Sequence, residues 1–309
     1  MMKAKKKWIL KDFVKLSRPH FLVPGFFLYS MGSLLAACRG FILEFDKFLF
    51  GYLIFFFAHL SVSYSNDYFD QETDSRGTST ILSGGSGILK EHPEMAKLSI
   101  TVALLLLIAS ALFALAFMIF YDYNINFLIF SILGGWLGWF YSAPPVRLAY
   151  RGFGEIATMI AAGLMMPGMG YFVVSGNLDI WFIVISIPLV CYGLFFILTV
   201  ELPDLETDTI SGKRGFLVRF GRKAGAWLSM LACFFGFLIF LYFSISGILG
   251  CCVDFKSLTV VSIIPLIAAT YHLANYSETQ QLIMRQVLFN FGTMIIFLIL
   301  ANIILISCI

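Results

Sequence analysis

Apolar positions run along this chain in long, nearly unbroken blocks, with polar residues gathered in the intervals between them. Blocks at residues 20–38, 48–66, 98–120, 125–142, 154–174, 180–200, 224–248, 258–274 and 287–308 are long enough to cross the hydrocarbon of a bilayer, which takes about 20 residues of helix. Lipid offers no partner for an unpaired N–H or C=O, so each block is expected to be a helix that pairs its own backbone. The pattern predicts an all-α polytopic membrane protein, a single domain over 1–309 with nine transmembrane helices.

Composition strengthens that reading. The 309 residues are 60% hydrophobic with 13% charged and a mean hydropathy of +0.89, whereas a soluble domain carries about 25% charged residues. A net charge of +3 gives no footprint for nucleic acid. Cys38, Cys191, Cys233 and Cys308 are scattered in apolar stretches and Cys251–Cys252 are adjacent in a short interval. No CxxC or Cys/His cluster points to zinc or to a disulfide framework. His20, His59, His92 and His272 are isolated and read as packing or loop residues.

Charge then orients the spans. With the N-terminus placed in the cytoplasm, eighteen Lys and Arg residues fall on that side and three, Arg39, Lys47 and Lys256, on the other. Positive charge collects in cytoplasmic loops, and moving the count by one span would scatter these residues over both faces. The basic segment 1–19 shows no cleavable leader and is expected to anchor the first span in the cytoplasm. The intervals YDYNIN, SGNLD and CCVDFK are short. Those at 67–97 and 201–223 are long, polar and on the cytoplasmic side, which is where function is expected.

Both long intervals open on carboxylates with one spacing. In NDYFDQETD, residues Asn66 to Asp74, the acids Asp67, Asp70 and Asp74 stand at i, i+3 and i+7. In ELPDLETD, Glu201, Asp204 and Asp208 repeat that spacing 134 residues later, and both segments contain D-x-E-T-D. The repeat implies two related helical halves. On a helix such residues share a face, and a column of like charges destabilises its helix unless neutralised. Magnesium prefers oxygen ligands and is usually held by carboxylates together with phosphates, so two facing motifs suit metal ions and a bridging diphosphate. Lys213 and Arg214 directly after the second motif favour an anion over a bare cation, because Lys and Arg donate charge-assisted hydrogen bonds to phosphate. Arg219, Arg222 and Lys223 read as topogenic charges. In YSAPPVRLAYRGFGE, Tyr141 to Glu155, tandem prolines end the fourth span, with Tyr141 just before them and Arg147, Tyr150 and Arg151 after. Here an aromatic face suits a cation and an arginine suits a diphosphate. Arg18, in SRPHF before the first span, is a further candidate for the anion, and an interfacial belt of aromatic and snorkelling residues is the competing account.

These segments resemble the UbiA superfamily of intramembrane prenyltransferases. Asn66, Asp67, Asp70 and Asp74 match its N-D-x-x-D-x-x-x-D motif, and DLETDTISGKR with VRFG is similar to the menaquinone, or 1,4-dihydroxy-2-naphthoate prenyltransferase, branch. The YSAPP segment resembles that branch as well, and the motifs fall in the family's order after helices 2, 4 and 6. The resemblance implies a nine-helix bundle around a central cavity, capped on the cytoplasmic side by the acidic loops. It implies magnesium-dependent transfer of a polyprenyl group from a prenyl diphosphate to an aromatic acceptor, a quinone-type or related redox-carrier precursor, with a non-aromatic lipid acceptor as the alternative. Asp67, Asp70, Asp74, Asp204 and Asp208 would be the metal ligands, and Asp67, Asp70, Asp204, Asp208 and Tyr141 the catalytic residues. Asn66, Lys213, Arg214, Arg147 and Arg18 would bind substrate. The expected partners are the donor, its acceptor and membrane lipid, with no protein partner indicated, and the expected place is the cell membrane. Two departures mark this chain. SRGTSTILSGGSGILK lacks the family's N-R-P-x-R-P segment, keeping Ser83–Gly84 and a Gly-rich run, and Glu201 stands where the branch shows a neutral polar residue. A cation transporter or channel, a head-group phosphotransferase and a non-enzymatic scaffold are the alternative classes. Transporter sites lie on broken helices near the bilayer midplane, whereas these acids cluster at helix ends beside basic residues.

Overall fold

The apolar blocks are helices in the computed structural model, which describes residues 11–75, 82 and 84–309. Lys3, Lys5, Lys6, Lys7, Arg76 and Ser83, used in the sequence reading above, lie outside the described residues. Among those described there is no strand, and nine helices are long and apolar enough to cross a membrane. They are α1 (Leu22–Cys38), α2 (Phe45–Phe69), α3 (Ala96–Phe120) and α4 (Ile125–Ser142), α5 (Gly154–Ser175), then α6 (Ile180–Val200), α7 (Phe216–Ser246), α8 (Phe255–Ala274) and α9 (Gln280–Ser307).

The helices α4 and α6 have the predicted bounds, whereas others outrun their apolar blocks, and three of these bear on the cap. The second helix extends to Phe69, which puts Asn66 and Asp67 inside it rather than in a loop. The seventh begins at Phe216 instead of 224, with Gly221 at φ 77 interrupting it, and the ninth begins at Gln280 instead of 287. Hydropathy reports depth in lipid, whereas a helix ends only where its backbone hydrogen bonds do. The described residues of the cap regions 67–97 and 201–223 are accordingly largely helical. They contain Gln71–Ser75, Ile88–Glu91 and Leu205–Ile210, the 3-10 turns Pro93–Met95 and Leu202–Asp204, and the first turns of α3 and α7. Arg222, read as topogenic, is buried. It pairs with both Glu206 oxygens at 2.5 and 2.6 Å and donates from Nε to the Leu202 carbonyl at 2.9 Å, fastening the second acidic segment to α7.

The packing carries the internal repeat into three dimensions. The pair α2–α3 in the first half corresponds to α6–α7 in the second, α1 packs along α5, and α7, α8 and α9 follow in order until α9 closes against α1. At the α1–α5 crossing Ser33 Oγ donates to the Gly170 carbonyl at 3.2 Å. The ring of helices encloses a central cavity of about 340 Å³ lined from α1, α2, α4, α5, α6 and α9. One wall of the cavity is the π-helical turn Ala161–Met165 inside α5, a distortion frequent at functional sites. At the end of the bundle away from the acidic motifs, Arg39 pairs with Asp179 and donates to the Tyr171 hydroxyl at 2.6 Å.

Candidate active site

The first motif spans the end of α2 and the short helix after it. Asp67 lies in the last turn, Asp70 is the C-cap and Asp74 sits on Gln71–Ser75. The amides of Asp70 and Asp74 donate to the carbonyls of Asn66 and Asp70, both at 2.8 Å, so helical bonding continues through the join and the three carboxylates keep one face. The second motif repeats the device with a tighter join. Glu201 caps α6, a 3-10 turn follows, and Asp208 lies on Leu205–Ile210. All six carboxylates, together with Arg18, Asn66, Tyr141 and Lys213, line the one central cavity.

Four of the carboxylates are held by donors that fix their direction. Asp70 accepts from the Tyr150 hydroxyl at 2.7 Å and from Ser142 Oγ at 2.8 Å. Thr73 bonds the same Tyr150 hydroxyl at 3.0 Å. Asp208 accepts from Lys213 Nζ at 2.8 Å. Asp67 accepts from the Ser86 amide at 3.2 Å on both oxygens, and Asp204 accepts from the Gly84 amide at 2.9 Å. The segment Gly84–Ser86 is thus a strap joining the two motifs. Gly84, Gly85 and Gly87 have φ of 71, 67 and 76, backbone that glycine adopts without cost. A Cβ at Gly85 would lie 2.2 Å from Asp74 Oδ2.

Crowding of acids has an electrostatic consequence. Burial, reinforced by Asp70, Asp67 and Asp204 and opposed by Lys213, pushes the Asp74 carboxyl up to about 8. For Lys213, burial acts to lower its pKa but is outweighed by Asp70 and Asp208, which hold the ammonium well above its ordinary value. Among the described residues no group of three His, Cys, Asp or Glu side chains forms a ready-made metal cage. Magnesium commonly binds through one or two carboxylates plus substrate phosphates, keeping several waters. The acids of this cavity, with their unmet demand for positive charge and the buried, unpartnered Asn66 Oδ1, fit that mode.

Two of the five substrate-binding candidates are not on the cavity. Arg214 is exposed and absent from its wall, because the chain turns at Gly212 and Gly215 before α7 and presents alternate residues outward. Arg147 stacks its guanidinium 3.9 Å from the centroid of the Tyr150 ring, so its link to the site runs through Tyr150. Arg18 lines the cavity and donates to the Leu82 carbonyl at 3.4 Å. The sequence reading passed over Ser142, the strap amides and Tyr150 as an aspartate partner, although the SGGSG run was a visible signal for left-handed backbone that brings amides to an anionic group. His59 also lines the cavity, while His272 is buried beside Asn290 Nδ2 at 3.3 Å.

A family model described as the UbiA prenyltransferase family matches residues 25–291. The chain belongs to that family. Membership makes it a multi-pass membrane prenyltransferase and sets aside the transporter, head-group transferase and scaffold readings. It is similar to 1,4-dihydroxy-2-naphthoate octaprenyltransferase of Bacillus subtilis, 26% identical over 227 residues, covering 69% of this chain and 67% of that protein. It is also similar to 2-carboxy-1,4-naphthoquinone phytyltransferase of a Synechocystis species, 25% identical over 150 residues, 46% of this chain and 45% of that one. Among solved structures, a UbiA homologue from Archaeoglobus fulgidus bound to GPP and Mg2+ superposes with a TM-score of 0.67 at 17% identity, covering 96% of this chain and 99% of that one. At that identity the likeness is one of fold, and it extends over nearly the whole UbiA family chain.

Proposed function

We propose that this protein transfers a polyprenyl group from a prenyl diphosphate to an aromatic, quinone-precursor acceptor, with magnesium, at the cytoplasmic face of the cell membrane. The observation that carries the reading is the cavity itself: a rim of six carboxylates and Lys213 stands over walls that include Phe21, Phe55, Phe130, Phe196, Phe291 and Phe297. That is the shape of an ionic head on an isoprenoid tail. The naphthoate and naphthoquinone relatives support the aromatic acceptor, and the GPP- and Mg2+-bound homologue supports the donor and the metal.

In this reading Asp67, Asp70, Asp74, Asp204 and Asp208 would hold magnesium. Bound magnesium supplies charge neutralisation for the leaving diphosphate. Lys213 adds a fixed ammonium at the same place, and Arg18 and Asn66 complete the contacts to the anion. The apolar walls exclude water from the allylic cation that forms as the C–O bond breaks. Tyr141 presents its ring to that cation. Arg147 acts by holding Tyr150 against Asp70, and Arg214 stays outside the direct contacts. The segments 67–97 and 201–223 together make the cap of a single domain over residues 1–309.

The test is transfer by detergent-purified protein, with radiolabelled prenyl diphosphates of several lengths, with and without magnesium. The acceptors are 1,4-dihydroxy-2-naphthoate and a glycerol phosphate. Magnesium-dependent lipid product with the naphthoate is expected. Product with the glycerol phosphate alone would overturn the aromatic acceptor, and absence of both product and magnesium–diphosphate binding would overturn the donor site.

A pH dependence follows from Asp74. Its carboxyl titrates near 8 in the folded protein and near 3.9 when unfolded, so the folded state binds the extra proton between those values. The stability this contributes is fully present below about 4 and is lost as pH rises through 8. Magnesium competes with that proton. The rise in melting temperature on adding magnesium and geranyl diphosphate is therefore expected to be larger at pH 8.5 than at pH 6.5. An equal rise at both values would show that Asp74 is not a ligand.

A further inference from the structure

The two motifs match in spacing but their first members differ in use. Asp67 is tied on both oxygens to the Ser86 amide. Its counterpart Glu201 is one methylene longer and lines the cavity, with the Tyr141 hydroxyl donating to Oε1 at 3.4 Å. Tyr141 lines the same cavity. The neighbouring acid Glu155 accepts from the Phe216 amide, capping the start of α7. Asp70 and Asp208 are engaged by Ser142, Tyr150 and Lys213. Glu201 caps α6 about one turn before Asp204, on the wall of the same cavity. This is also the position at which the sequence departs from the branch it resembles, a carboxylate in place of a neutral group.

We propose that Glu201 is the general base that removes the acceptor's hydroxyl proton, its carboxylate oriented by Tyr141. The inference rests on the prenyl-transfer reading, but it requires of the acceptor only a hydroxyl group. The acceptor O–H bond breaks and the proton passes to a Glu201 oxygen. With an aromatic acceptor the freed electron pair flows into the ring, whose carbon bonds to C1 of the prenyl group. The C1–O bond to diphosphate breaks and its pair leaves with the diphosphate. The hydrogen on the newly prenylated ring carbon then leaves as a proton while the oxygen regains one, which restores the aromatic ring. Glu201 hands its own proton to the departing diphosphate and is a carboxylate again. Geometry is the first requirement of such a base, and Glu201 lines the cavity with a neutral hydroxyl, that of Tyr141, as its partner, whereas Asp208 is paired with the Lys213 ammonium.

The test compares wild type, Glu201→Gln and Tyr141→Phe with a hydroxylated acceptor and with its O-methyl ether. Geranyl diphosphate and magnesium chloride serve as donor probe. A general base contributes typically 10²–10⁴-fold, so Glu201→Gln is expected to lose about 10²-fold or more in kcat. Its affinity for the magnesium–geranyl diphosphate probe, read by thermal shift, is expected to stay unchanged, which also shows that the variant folds. Tyr141→Phe should lose less. Blocking the hydroxyl should slow wild type far more than Glu201→Gln, since the two changes remove one step and their effects do not add. Full turnover by Glu201→Gln overturns the inference, as does loss of donor binding, which would make Glu201 a metal ligand. Equal sensitivity of both proteins to the methyl block overturns it too. Failure of wild type with every hydroxylated acceptor removes the proposed function, and this inference with it, whereas an active wild type beside an unimpaired Glu201→Gln removes this inference alone.

Discussion

Asp70→Asn and Asp208→Asn are each expected to cut prenyl transfer by roughly 10²–10³-fold, the cost of removing one preorganised group that stabilises developing charge. Asp70 is 7% exposed and Asp208 8%, and they flank Lys213 from opposite motifs, as the pull of both on its ammonium shows. Asparagine keeps the size and an accepting oxygen for Tyr150 or Lys213 but deletes the charge, so the loss reports on metal and diphosphate rather than on folding. Donor binding should fall with activity in both variants, which separates them from Glu201→Gln. The residues that aim Asp70 are expected to matter less. Tyr150→Phe and Ser142→Ala remove its donors at 2.7 and 2.8 Å, and losses of an orienting partner run to about 10–100-fold. Steady-state rates and thermal shifts with magnesium and geranyl diphosphate measure both sets. An Asp70→Asn protein that binds the donor normally would place the first motif outside the metal site.

The second large effect lies far from the chemistry. At the crossing of α1 and α5 a Cβ built on Gly170 would fall 1.9 Å from the Tyr29 carbonyl oxygen, and one built on Gly32 would fall 1.7 Å from that of Pro167. The obstacle is backbone on both sides, which cannot rotate away as a side chain can. Small residues are what allow membrane helices to approach this closely. Overpacking a well-filled site costs typically 1–3 kcal/mol and occasionally more. Gly170→Val is expected at or above the top of that range, about 3 kcal/mol, because the two helices must separate. The readout is loss of monodisperse protein in detergent and a lowered melting temperature. Gly292→Ala is the matched control, since a Cβ there meets nothing within 4 Å, and it should leave the melting temperature unchanged or slightly raised.

Much of this architecture was legible in the residues because the bilayer is so selective a solvent. Nine apolar blocks could satisfy their backbones only as helices, and α4 and α6 have the bounds their blocks predict. The paired acidic motifs were legible for a different reason: a spacing of i, i+3 and i+7 repeated at an offset of 134 residues is hard to reach without a shared helical task. Illegible were the ends of α2, α7 and α9, where polar residues continue a helix beyond the hydrocarbon and hydropathy no longer tracks structure. Arg222 shows the same limit. Its charge looked topogenic, and only the fold of the cap brings Glu206 into a bidentate pair with it.

By itself the sequence determined the solvent, the element type, the approximate number of spans and the residues able to carry metal and phosphate chemistry. Those properties depend on side-chain composition and on separations of a few residues, which helical geometry converts directly into position. Tertiary structure alone decided which candidates share the cavity. It left Arg214 at the surface, turned Arg147 into a support for Tyr150, laid the Gly84–Ser86 strap across both motifs and set Glu201 against Tyr141 on the cavity wall. Those contacts join residues as many as 120 positions apart. Their geometry is set by how nine helices pack around one cavity, which no local pattern encodes.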